Sequence, residues 1–234
     1  ATRLIRKQHL VSPRRGFYLI LRPEDRVAGA PDPARWIAPL MQYIGVDYRI
    51  SLLRAAAFHG SSHQAAMVFQ VVAPKQLSDI TLGRHQIQFI YQQPKVFAAV
   101  NKPEWLGQLK SDTGYAQVAD IELTLLDCMR YFHKAAGINS VAQFVKDIGH
   151  QAKPARLVKA ARHYEDTTVR RLGYLLDLVG YERQSTALLP IVSKAKSLKL
   201  LDPATDALSA IFSEHHDVSK KWMLTINETV EIDF

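Results

Sequence analysis

The sequence predicts an α+β fold in two parts, a short basic N-terminal piece and a larger mixed α/β domain with a mainly antiparallel sheet and a helical C-terminal part. Three observations carry this expectation. Between residues 67 and 118 the apolar residues come in short runs separated by turn signals, as in strands. From Ser140 onward they recur at three- and four-residue spacing, as on one face of a helix. Between these parts and the N-terminus, the stretch from Arg22 to Pro33 gathers Pro23, Gly29, Pro31 and Pro33, the strongest linker signal in the chain. It sets the expected domains at residues 1–28 and 32–234.

Ala1 to Gln8 reads as the end of a helix with Arg3, Arg6 and Lys7 on neighbouring ridges. His9 to Leu21 reads as a hairpin, with Ser12-Pro13-Arg14-Arg15-Gly16 as its turn. A basic helix running straight into a hairpin tipped by two arginines resembles the C-terminal half of a winged helix-turn-helix. Asp32 before Pro33 is a helix start, and Trp36, Ile37, Leu40, Met41 and Ile44 follow at helical spacing. Tyr48 to Val72 is the most apolar stretch. It predicts a buried helix ended by Gly60 and a central strand from Met67 to Val72. Ile80–Leu82, Gln86–Tyr91 and Val96–Val100 are expected as strands of an antiparallel meander, Lys102–Asp112 as a loop, and Gly114–Val118 as a last short strand. Asp120 opens a helix with an apolar face at Leu123, Leu126, Met129 and Tyr131 or Phe132. Further helices are marked by Val141 to Ile148, by Leu157 to Ala161, and by Val169 to Val179 ending at Gly180. Trp222–Ile226 and Thr229–Phe234 are expected as strands returning to the sheet.

The 234 residues are 47% hydrophobic, enough for one sizeable core. The formal charge of +8 favours an anionic partner. Seven Lys or Arg against Glu24 and Asp25 lie in the first 26 residues, so more than half of the excess is concentrated there. A second basic strip, Lys153 to Arg171, reads as a solvated helix face. The lone Cys128 forms no internal disulfide, which with the absence of a signal-like h-region predicts a cytoplasmic protein. No apolar run approaches the roughly 18 residues of a membrane span. The chain does not begin with Met, so the gene product is expected to start elsewhere.

Catalytic signatures are missing. There is no G-x-S-x-G elbow, P-loop or G-x-G-x-x-G, and Cys128 sits mid-helix between apolar neighbours. His59 and His63 bracket Gly-Ser-Ser, where the glycine breaks the helix face that would align them. The adjacent His215 and His216 cannot both aim at one ion from a regular helix. No metal and no cofactor is expected. Asp120, Glu122 and Asp127 suggest the alternative, a nucleic-acid-processing enzyme, namely a nuclease with an irregular metal site. Glu122 and Asp127 are five residues apart, however, which turns them away from each other on a helix. Nor does any Asp-x-Lys or Glu-x-Lys occur, the nearest being Gln93-Pro94-Lys95. No catalytic residue is therefore assigned.

Taken in order, Ser12-Pro-Arg-Arg-Gly-Phe-Tyr, Ser51-Leu-Leu-Arg-Ala-Ala with His59-Gly, Gly83-Arg84 before Ile87-Gln-Phe-Ile, Thr113-Gly-Tyr, Glu122-Leu-Thr-Leu-Leu-Asp127 and Arg171-Leu-Gly-Tyr-Leu-Leu resemble the AbiEi family. These are antitoxins and transcriptional regulators of abortive-infection, type IV toxin-antitoxin systems. The resemblance spans almost the whole chain. It implies an N-terminal winged helix that binds inverted repeats in its own promoter, and a C-terminal domain with antitoxin activity. It also implies a nucleotidyltransferase-like toxin encoded beside it and countered without a stable complex, and no enzyme activity. Carried onto this sequence, the DNA-binding positions are Arg3, Arg6 and Lys7 on the helix and Arg14 and Arg15 on the wing. Only Ala1 to Gln8 precedes the wing, where the family pattern has two further helices.

Overall fold

The computed structural model describes residues 2–7, 9–61, 68–112, 114–192, 194–205 and 217–232. The chain divides into two compact units, residues 1–55 with 64–120 and residues 56–63 with 121–234. The boundary expected between residues 28 and 32 thus falls inside the first unit.

The first unit opens with α1 (Thr2–Arg6) and the hairpin β1 (Leu10–Arg14) and β2 (Phe17–Ile20). A short 3-10 turn at Pro33–Arg35, capped by Asp32 accepting from Ala34 N at 2.8 Å, leads into α2 (Ile37–Ile44). Then follow β3 (Arg49–Ile50), α3 (Leu52–Phe58), β4 (Val68–Ala73), β5 (Ile80–Leu82), β6 (His85–Tyr91), α4 (Pro94–Val100), β7 (Leu106–Ser111) and β8 (Gly114–Ala119). The last residues of α3 count with the second unit.

Six of these strands form one sheet in the order β5-β6-β4-β3-β8-β7. The expected antiparallel meander is a mixed sheet. β6 runs parallel to β4 and β3 parallel to β8, while the other neighbours are antiparallel. The central strands β3 and β4 are almost wholly buried, Arg49 and Gln70 included among their mostly apolar residues.

Two local expectations are corrected. Val96–Val100 is helical, because Pro94 fixes φ at the first helical position and Phe97 and Val100, three apart, are buried on one face. The expected loop at 102–112 contains strand β7. Gln108 and Lys110 point to solvent along this sheet edge, so its sequence carries little strand signal.

The Pro/Gly-rich stretch is firmly packed. Ala28 O accepts from Arg84 N at 2.8 Å, and His85 Nε2 lies 3.2 Å from Ala30 O. Trp36 Nε1 donates to Pro31 O at 2.9 Å. Arg35 bridges Asp25 and Asp112 at 2.8 and 2.7 Å, and Arg22 also reaches Asp112 at 3.0 Å.

The second unit packs helices around α5 (Ile121–Arg130), which is buried from Glu122 to Met129. α6 (Gly137–Ile148), α7 (Pro154–Ala161) and α8 (Asp166–Leu178) surround it, and α9 (Glu182–Val192) packs on α7 and α8. Each contributes apolar residues at helical spacing, such as Val141, Val145 and Ile148, or Leu172, Leu175 and Leu176. A separate small sheet has the order β10-β11-β9, from β9 (Lys199–Leu200), β10 (Asp217–Ser219) and β11 (Leu224–Ile226). The C-terminal strand therefore pairs with its neighbours and not with the large sheet, and residues 229–232 are not strand. No described helix is long and apolar enough to cross a membrane.

Candidate nucleic-acid interface

Helix α1 and the following hairpin display the five cations singled out in the sequence. Arg3, Arg6 and Lys7 are exposed at α1, and Arg14 and Arg15 are exposed at the hairpin turn. None of the five joins an ion pair with another described residue. Arg22 and Arg35 differ, being held by Asp112 and by Asp25 with Asp112 respectively. β1 lies between the cations of α1 and those at the hairpin turn, with Arg14 at its end.

The turn is built to present its arginines. Pro13 lacks an N–H, and the ladder shifts register between Val11 and Arg14. Ser12 Oγ lies 2.8 and 2.9 Å from the carbonyls of Arg14 and Phe17, closing the bulge. Gly16, at φ +82°, lets the chain reverse. From α2, Tyr43 donates its hydroxyl to Arg15 O at 3.3 Å and packs its ring 5.5 Å from that of Phe17. The Arg15 backbone is thereby fixed while its guanidinium stays in solvent.

The carboxylates that suggested a nuclease are otherwise engaged. Glu122 is buried, accepting from Lys153 N at 2.8 Å and facing Arg156 Nε at 3.4 Å. Fully buried Asp127 accepts from Tyr164 OH at 2.7 Å. Burial, with Asp127 beside it, pushes the Cys128 thiol well up, so the nucleophilic thiolate is scarce. Among the described residues no group of three or more His, Cys, Asp or Glu gathers as metal ligands would. His63, His215 and His216 lie outside the described residues.

The described chain thus combines a mixed α+β unit that carries an exposed basic hairpin with a largely helical unit. Residues 49–178, more than half of the chain, match the AbiEi antitoxin C-terminal domain. The chain belongs to the AbiEi antitoxin family and carries the antitoxin domain of a toxin-antitoxin system. No curated protein matches it. Among solved structures it is similar to the RV2827C protein from Mycobacterium tuberculosis, with a TM-score of 0.64 at 16% identity. That alignment covers 95% of this chain and 78% of the other. At this identity the likeness concerns the fold alone.

Proposed function

We propose that this antitoxin is also the DNA-binding autorepressor of its own type IV, abortive-infection operon and acts in the cytoplasm in defence against phage. Residues 1–28 read inverted repeats in the promoter as the rear half of a winged helix. Residues 32–234 counteract a nucleotidyltransferase-like toxin without forming a stable complex with it. The observation that supports the DNA reading best is the set of five exposed cations, Arg3, Arg6, Lys7, Arg14 and Arg15, left without acidic partners among the described residues. Phosphates of a duplex supply those partners and release condensed counterions in doing so. Glu122 and Asp127 are engaged by Lys153, Arg156 and Tyr164, which favours this reading over a nuclease.

Two measurements on the full-length protein test this proposal. It should shift its own promoter fragment in preference to a scrambled duplex, and it should rescue growth of cells expressing the toxin encoded beside it. Equal affinity for both duplexes would remove the repressor half. A failure to rescue would remove the toxin half.

A further inference from the structure

We propose that a groove between the C-terminal end of α2 and strand β8, within the first unit, binds the guanidinium of an arginine presented by a partner protein. The groove has a volume of about 380 Å³, and Gln42, Asp47, Tyr48, Tyr115 and Gln117 are among its lining residues, with Met41 at its apolar side. Its chemistry favours a cation on every count. Asp47 is exposed and joins no ion pair with another described residue. The C-terminal turn of α2, capped by Gly45, brings the negative end of a helix dipole to the same place. Two tyrosines, Tyr48 and Tyr115, are among the lining residues, and a tyrosine ring face attracts a cation. No Lys or Arg lines it, in a chain whose formal charge is +8.

The shape of the site selects arginine. Tyr48 is buried and held in place by accepting Gln117 N–H at 3.3 Å, whereas Tyr115 is 61% exposed. A planar guanidinium stacks on such a ring while its N–H groups reach a carboxylate and amide oxygens; the compact, strongly hydrated ammonium of lysine does neither as well. A nucleic-acid phosphate would be repelled by Asp47 and by the helix C-terminus, with no cation in the lining to offset them. This inference goes beyond the antitoxin reading and stands without it.

The test is an amide NMR titration of the full chain with acetyl-Gly-Arg-Gly-amide and with its citrulline analogue, which keeps the shape and loses the charge. The arginine peptide should shift signals confined to residues 42–48 and 115–117. The citrulline peptide should bind at least about fivefold more weakly, and Asp47→Asn should weaken the arginine peptide by a similar factor. Tyr115→Ala should weaken it too, with Tyr115→Phe retaining binding. Equal binding of the citrulline peptide, no shifts at these residues, or tighter occupation of the same residues by a short single-stranded oligonucleotide would each overturn the proposal.

Discussion

At the scale of single residues, Gly83 shows how a turn glycine in a sequence becomes a packing requirement in a fold. At φ +58° its backbone lies against Ala28 and Gly29, and an added Cβ would stand 2.1 Å from Ala28 O. Gly83→Ala should therefore destabilise the protein by about 2–4 kcal/mol in urea unfolding, with strain and a backbone clash acting together. A loss under 1 kcal/mol, on the order of a neutral surface change, would show that the loop yields easily. Glu122 and Asp127 make a second case. Replacing either by Ala should lower stability by about 1–3 kcal/mol by stranding buried donors, and should leave DNA and RNA as intact in magnesium or manganese as wild type does. Metal-dependent cleavage that vanishes in either variant would restore the nuclease reading. The sequence exposed the acids but not their partners, because Lys153 and Tyr164 lie 31 and 37 residues away. Arg49 was equally illegible: a charged residue in an apolar run proves to be fully buried, stacked 5.3 Å from the Phe97 ring and bonded to Gln92 Oε1 at 2.8 Å.

At the scale of elements, strong helical periodicity was readable and edges were not. The helices α2, α5, α6, α7 and α8 follow their apolar spacing, whereas α4 and β7 depart from what their local sequence suggests. Five residues from Val96 to Val100 suit a strand or a helix alike, and only the proline ahead of them decides. The small sheet β10-β11-β9 depends on pairings no local pattern announces. It is tied to α8 through Asp177, which accepts from Trp222 Nε1 at 2.6 Å and lies 2.8 and 2.7 Å from Lys221 Nζ through its two oxygens. Burial alone would raise the Asp177 carboxyl, but hydrogen bonds from Lys221, Ser185 and Trp222 hold it below its ordinary value. A folded-state value below the unfolded one stabilises the protein above the ordinary carboxylate range, and this contribution is lost as pH falls through the folded-state value. Asp177→Asn should thus be less stable than wild type at pH 7, and the gap should close below about pH 4. A gap that stays constant from pH 7 to pH 3 in denaturant titrations would contradict the assignment.

At the scale of the whole molecule, the linker signal from Arg22 to Pro33 was legible as composition, yet its physical meaning was not. The prolines and glycines serve close packing against Gly83, His85 and Trp36 within the first unit. A fragment beginning at Arg22 should consequently melt at a higher temperature than one beginning at Asp32, which lacks the Asp25 and Ala28 contacts and the Pro31 acceptor for Trp36. Equal melting temperatures would mean that residues 22–31 are a passive connector after all. The family was legible from an ordered succession of motifs. The groove at Asp47 and Tyr115 was not, because its residues come from two separate stretches that only the fold joins. The claim at the centre of this account is that DNA reading resides at the N-terminal hairpin and antitoxicity resides elsewhere. Its most direct test is Arg14→Ala/Arg15→Ala in the full-length protein, with operator affinity measured at several salt concentrations and toxin rescue measured with both genes under foreign promoters. The expected result is a salt-dependence slope reduced by about 2, derepression of the promoter and unimpaired rescue. Loss of rescue in a variant that remains folded, or an unchanged slope, would contradict it.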